Sequence, residues 1–267
     1  MNALSEHFEG RFLDELLGKI TSAMCPQVSD HDCKTCAEFM ETDEWKFFEP
    51  SFEDTDRTFR ALLKSGRYEC SRTGLRIECS SDVQLEYLTC DWEQVNYTPE
   101  MDQFTPCGPL MDLKVISGEL KEVYLPHSLC LGKSLQRDAV KVLHVEDSGV
   151  YFEECSLTRF HAKLLDLSFS PKGLLLRKGY TVFYHCETLI YHTLKSHLTL
   201  HVYLIPSDKQ MKEAVTKKEE QMRSKFILKP EPQCKLQMNG RFTLKALDQT
   251  KTSDCNSDIT PKVITFR

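Results

Sequence analysis

Within residues 66–94, GRYECSRTGLRIECSSDVQLEYLTCDWEQ, apolar and polar side chains alternate in short runs. A period of two is the mark of a strand with one face buried. The interruptions at Arg72 to Gly74 and at Ser80 to Asp82 consist of residues that favour turns. More such runs follow in LMDLKV, KEVYLP, AVKVLHV, GVYFEE and RFHAKLLDLSFS. Short strands separated by turns at this spacing predict an antiparallel β-sandwich.

A second set of strands begins after Pro171, in GLLLRKG, YTVFYHCETLIYH and LTLHVYLIP. Ser207 and Gln210 have capping-box spacing, so Ser207 is expected to cap a helix built on Met211, Ala214, Val215 and Met222. Farther on, CKLQM and RFTLKAL flank Asn239 and Gly240, two residues that accept the positive φ of a tight hairpin. A last strand is expected from Lys262 to Phe266.

Ahead of all this, Leu4, Phe8, Phe12, Leu16, Ile20 and Met24 recur every fourth residue, the apolar stripe of an amphipathic helix. Its simplest use is docking on its own protein. The segment between Met24 and Asp56 is acidic and without period, a linker with one knot of His31, Cys33 and Cys36 behind Cys25. A C-x-x-C pair supplies two thiolates to a tetrahedral zinc, and Cys25 or His31 would complete such a site. The second C-x-x-C of a zinc ribbon is absent, and simple reduced thiols are the favoured reading.

The expected fold is therefore mainly β. It has an acidic helical leader and linker over 1–56, an antiparallel sandwich over 57–169, and a second, incomplete sandwich with one helix over 170–267.

Composition narrows the function. With 267 residues, 40% of them apolar and 28% charged, the chain suits a soluble globular protein. No window approaches 18 apolar residues, and the start carries Glu6, Glu9, Asp14 and Glu15 where a signal peptide needs cations. A cytoplasmic chain with reduced cysteines is expected. Residues 1–56 hold 14 acids and 4 bases, which leaves 30 bases and 26 acids for the rest. That distribution offers no clustered basic face for nucleic acid and no attraction to an anionic membrane.

Phosphate-binding glycine loops and the G-x-S-x-G elbow are missing, so nucleotide and α/β-hydrolase chemistry have no anchor. His185, His192, His197 and His201 fall on or between alternating strands without metal-site spacing, and read as polar-face residues. One run stands out, Leu165-Asp166-Leu167-Ser168-Phe169-Ser170-Pro171-Lys172-Gly173, which puts a serine at the end of a strand entering a Pro/Gly turn. By itself this is weak, because serine before proline commonly starts a turn.

Taken together and in order, GRYECSRTGL, CDWEQ, CGPLMDLKV, VYLPH, VLHVEDSGVYFEE, LSFSPKGLLL and LHVYLIPSD closely resemble the function-to-find domain (FIIND). That domain is a ZU-five β-sandwich followed by a UPA β-sandwich, found in inflammasome sensors that carry a C-terminal caspase-recruitment domain. The resemblance implies a single self-inflicted cut, here between Phe169 and Ser170. Ser170 is the implied nucleophile, His144 the base, and Glu153 the acid that orients the imidazole, with Glu146, Asp147 and Glu154 as near alternatives. Pro171 and Gly173 are expected to set a strained turn.

The implied chemistry is single-turnover, needs no cofactor, and leaves two fragments held together without a covalent bond. The resemblance also implies partners: the chain's own cleaved fragment, other FIIND or UPA proteins, inflammasome components, and a cytosolic dipeptidyl peptidase. A chain ending at Arg267 leaves no room for a whole UPA or a death-fold effector, so a truncated or stand-alone regulator of innate immune or cell-death signalling is expected. The alternative is an interaction scaffold that never cuts.

Overall fold

The structure, a computed structural model, describes residue 36, residue 39, and residues 44–96, 98–132, 137–146, 148–168, 170–194, 198–227, 234–237, 241–243 and 263–265. The leader helix, Cys25, His31, Cys33, Asp147, Phe169, His197 and the Asn239-Gly240 turn lie outside these. What is described is mainly β, with one α-helix.

Two large sheets carry the first part of the chain. A six-stranded sheet runs in the order β1 (Lys46–Phe48), β4 (Gly66–Cys70), β5 (Arg76–Cys79), β8 (Leu120–Pro126), β12 (His161–Leu164), β11 (Cys155–Leu157). A seven-stranded sheet runs β10 (Gly149–Glu153), β9 (Val140–Glu146), β13 (Lys172–Arg177), β7 (Phe104–Ser117), β6 (Val83–Cys90), β3 (Thr58–Leu63), β2 (Ser51–Glu53). Pairing in both is antiparallel except between β1 and β4.

The alternation in the sequence is what builds the core. In β6, Val83, Leu85 and Tyr87 are buried while Gln84 and Glu86 turn outward, and Glu86 there accepts a hydrogen bond from Arg60 Nε at 2.9 Å. Leu75 and Ile77 come from the six-stranded side, and Leu85, Val142 and Leu174 from the seven-stranded side, into one continuous apolar cluster. Each such side chain contributes about 1.5–3 kcal/mol by leaving water. The Tyr87 hydroxyl reaches Cys70 Sγ at 3.0 Å, which ties a strand of one sheet to a strand of the other.

The turn expected at Arg72 to Gly74 is present, with Gly74 at φ 75 where only glycine is unstrained. Its carbonyl accepts a hydrogen bond from the Nε2 of buried His161 at 2.8 Å. His127, equally buried, accepts from the Leu129 amide at Nδ1 and donates from Nε2 to the Thr158 carbonyl, both at 3.1 Å. Those partners fix a neutral tautomer. Burial pushes the His127 pKa down to about 4 and that of His161 well below its ordinary value.

A smaller sheet follows, with β14 (Phe183–Leu194) between β15 (Leu198–Pro206) and the short β16 (Lys225–Phe226), and with β17 (Cys234–Gln237) also on β14. The helix α1 (Lys209–Gln221) is capped by Asp208, not Ser207: the Asp208 carboxylate accepts from the Met211 amide at 2.7 Å. A carboxylate is the stronger acceptor at a helix start, where it also meets the positive end of the helix dipole. Fully buried Glu219 anchors α1 by accepting from His201 Nδ1 and from the Tyr203 hydroxyl. Its outer contacts reach the large sheets, with Arg72 bonded to Glu213, Lys209 to Glu69, and Gln210 to Thr89.

His185 and His201 therefore depart from the polar-face reading. His201 is occupied by Glu219. His185 is buried because residues 128–130 cover its strand, its amide donating to the Ser128 carbonyl at 2.7 Å while the Cys130 amide donates to that of Phe183 at 2.8 Å.

Candidate functional site

His144 sits on β9 with its side chain fully buried. The hairpin of β9 and β10 sets what it meets: Tyr151 lies directly opposite and stacks on the imidazole at 4.7 Å, and Glu153, two residues on, lies on the same face diagonally. Glu153 Oε2 is 2.5 Å from His144 Nε2. An ionised carboxylate only accepts, so the ring proton sits on Nε2 and the lone pair on Nδ1. Nδ1 is buried and has no hydrogen-bond partner among the described residues.

Two of the other acids near His144 in sequence, both among the described residues, are engaged elsewhere. Glu146 accepts from the Tyr151 hydroxyl, and Glu154 is paired with Lys141.

On the other side of β9 runs β13, with Lys172 opposite His144. The Val145 amide donates to the Pro171 carbonyl at 2.9 Å and carries the ladder past the strand's first residue. The pleat places Ser170, two residues before Lys172, on the side of His144. Ser170 Oγ is buried and without a hydrogen-bond partner among the described residues, so no hydrogen bond joins it to His144. A cavity of about 20 Å³, room for one water, is lined by Ser168, Ser170 and Lys172 and by core residues including Leu75 and Leu125.

Two residues of this cluster carry no mark in the sequence. Asp166 brings a carboxylate oxygen within 4.8 Å of the donor atoms of both His144 and Glu153. Hydrogen bonding from Ser168, whose amide lies at 3.0 Å, holds the Asp166 carboxyl below its usual range, helped by the Lys172 ammonium. Lys172 is 3% exposed and donates to the Asp166 carbonyl at 2.7 Å. Burial lowers its pKa, while Asp166, Glu153 and Glu146 act the other way. A lone Asp between leucines and a Lys after Pro look like solvent residues until the two strands are laid side by side.

Gly173 has a different task from the one the sequence suggests. It lies inside β13, paired with both Leu110 and Leu143, rather than in a turn. What it provides is space, since a Cβ there would stand 2.5 Å from the indole of Trp92, whose Nε1 donates to the Gly108 carbonyl at 3.1 Å. Gly173→Ala is expected to displace that ring and cost about 1–3 kcal/mol. Urea unfolding followed by tryptophan fluorescence measures both, and an unchanged midpoint and spectrum would count against this packing.

Comparison with known families decides the identity of the two parts. The Function to find (FIIND) model matches residues 52–182 and the UPA-FIIND domain model matches residues 184–267. The chain carries a FIIND domain followed by a UPA-FIIND domain.

The FIIND match takes in β13, and the UPA-FIIND match begins on β14. His144, Glu153 and Ser170 all lie within the FIIND stretch, although the reading from sequence ended the first module at residue 169.

The chain is 37% identical over 246 residues to the zebrafish (Danio rerio) "NACHT, LRR and PYD domains-containing protein 1 homolog", covering 91% of this chain and 18% of that protein. To the mouse (Mus musculus) "NACHT, LRR and PYD domains-containing protein 1a" it is 31% identical over 193 residues, or 69% and 16% of the two chains. The chain thus spans less than a fifth of the length of either relative. Among the described residues no helix is long and apolar enough to cross a membrane.

Proposed function

We propose that this chain is a regulatory module of inflammasome-type innate immune signalling that cuts itself once, between Phe169 and Ser170. The observation that carries the reading is a buried histidine held at Nε2 by Glu153, beside a strand preceded by the buried Ser170 hydroxyl, with neither His144 Nδ1 nor Ser170 Oγ hydrogen-bonded among the described residues.

In the proposed reaction His144 Nδ1 takes the proton of the Ser170 hydroxyl as Oγ bonds to the carbonyl carbon of Phe169. The peptide C–N bond then breaks, and the amine of Ser170 leaves with the proton returned by His144. Water adds to the resulting ester, which gives a Phe169 carboxylate and restores the Ser170 hydroxyl. Glu153 holds the tautomer and stabilises the imidazolium while it lasts, and no metal or cofactor takes part.

In this reading two sandwich subdomains, ZU-five and UPA, act in the cytoplasm. The two fragments stay associated, and the UPA part engages UPA or FIIND partners or a cytosolic dipeptidyl peptidase.

A second reading, a scaffold that never cuts, is favoured by the lack of a hydrogen bond between Ser170 and His144. One experiment separates the two. The full chain is weighed under denaturing conditions beside a Ser170→Ala variant. Two fragments meeting at Phe169 and Ser170, absent from the variant, support self-cleavage. A single uncut mass in both leaves the scaffold.

A further inference from the structure

Away from the candidate site, three soft donor atoms meet in the interior. Cys36 Sγ lies 3.5 Å from Cys130 Sγ and 3.6 Å from His185 Nε2, and the three donor atoms all lie within 4.8 Å of one another. All three residues are buried. Cys36 is 94 residues from Cys130 and 149 from His185, so the cluster is a product of the fold and not of chain proximity.

The spacing has a chemical meaning. A disulfide needs its sulfurs about 2.05 Å apart, much closer than these. Zinc with Zn–S of about 2.3 Å and Zn–N of about 2.0 Å at tetrahedral angles puts two thiolates about 3.8 Å apart, and a thiolate about 3.5 Å from an imidazole nitrogen. Both observed separations agree with those values to within a few tenths of an ångström.

Among the described residues no other cysteine belongs to such a three-donor cluster. Cys70 faces the Tyr87 hydroxyl and Cys155 the Val140 carbonyl, and burial pushes the Cys79 thiol up to about 11 and that of Cys155 to about 12. Cys70 and Cys79 are small apolar core residues, and Cys155 packs half-buried against that core.

The backbone holds the three donors in place. The two hydrogen bonds between residues 128–130 and β14 fix Cys130 beside His185, and the ring of Phe160 meets His185 edge-on at 5.5 Å. The segment bearing Cys36 is pinned by a 3.1 Å hydrogen bond from the Arg159 amide to the Phe39 carbonyl. Two thiolates would neutralise a divalent cation, which lowers the cost of placing charge in an apolar interior.

We infer that Cys36, Cys130 and His185 form a binding site for zinc. Soft thiolates with an imidazole select this metal, and a fourth position completes its tetrahedron. The sequence signalled the site through the Cys33-x-x-Cys36 pair. Cys33 and the completing residues it suggested, Cys25 and His31, lie outside the described residues, and the fold brings Cys130 and His185 to Cys36. The inference stands on this geometry alone and does not depend on self-cleavage.

The test uses the full chain, produced with zinc in the medium and purified without chelator. Metal analysis is expected to find about one zinc per chain, falling at least tenfold in Cys130→Ser and in His185→Ala, with Cys107→Ser as a buried-thiol control that keeps its metal. Because a variant that misfolds also loses metal, chelator-treated wild-type chain is titrated with cobalt. Thiolate-to-cobalt absorption and tetrahedral visible bands at about one equivalent are expected. Wild-type chain that holds no zinc and gives no such bands, variants that keep full zinc, or a Cys36–Cys130 disulfide in the freshly purified protein would each overturn the inference.

Discussion

Glu153→Gln is expected to slow self-cleavage at least about 100-fold, whereas Glu146→Gln and Glu154→Gln leave it within about twofold. Glu153 Oε2 accepts from His144 Nε2, and an amide in its place is free to present its NH₂ group to that nitrogen instead. The imidazole would then carry its proton on Nδ1, facing the serine with a donor where a base is required. Glu146 and Glu154 already bind Tyr151 and Lys141 and make no such contact. The rate is read as the fraction cut against time after a pulse of synthesis, and thermal melting of each variant confirms an intact fold. Equal slowing by all three changes would point to general electrostatics and remove Glu153 from its role.

Acid is expected to destabilise the fold before most carboxylates titrate. His127 and His161 are buried as neutral rings whose hydrogen bonds need an acceptor nitrogen or leave no place for a second proton. The folded pKa of His127 is near 4 against 6.5 for a free imidazole. The unfolded chain therefore binds the extra proton first as pH falls. Stability is full above pH 6.5 and declines from there toward pH 4, with His161 acting in the same direction. His127 alone accounts for about 2 kcal/mol between pH 7.5 and pH 5. Urea unfolding at those two pH values measures the loss, and His127→Asn is expected to reduce it. A pH-independent unfolding free energy over this range would show that neither ring is buried in its neutral form.

The β character was legible because one face of most strands is wet. Gln84 and Glu86 alternate with Val83, Leu85 and Tyr87, and that contrast survives without any knowledge of neighbours. A strand buried on both faces loses that contrast: the burial of Leu175 opposite Leu174 and Leu176 makes the middle of β13 read as a plain apolar run.

Within the candidate site, His144 and Ser170 were suggested by the family's motifs, but four acids competed for the imidazole. The choice among the described ones rests on hairpin register, which puts Tyr151 opposite His144 and turns Glu153 toward it and Glu154 away. The helix cap moved by one residue because Ser207 and Asp208 are both good caps and only the chain's path selects between them. The Cys36, Cys130 and His185 cluster was invisible beyond its first member, since spacing in sequence says nothing about donors 94 and 149 residues away.

The placement of β13 gives any cut between residues 169 and 170 an unusual product. The strand that begins two residues after the cut is third of seven in its sheet, hydrogen-bonded to β9 on one side and β7 on the other. Its fully buried Leu174 belongs to a core cluster drawn mostly from residues before the cut. The two polypeptides would not be a complex in the ordinary sense, because neither has a finished surface to present to the other. Dilution alone would separate them only as fast as the first module spontaneously opens, so the lifetime of the pair is an unfolding rate and not an affinity. In a chain so cut, whatever pulled apart the part ahead of residue 169 would set the moment of release, without having to touch the half set free.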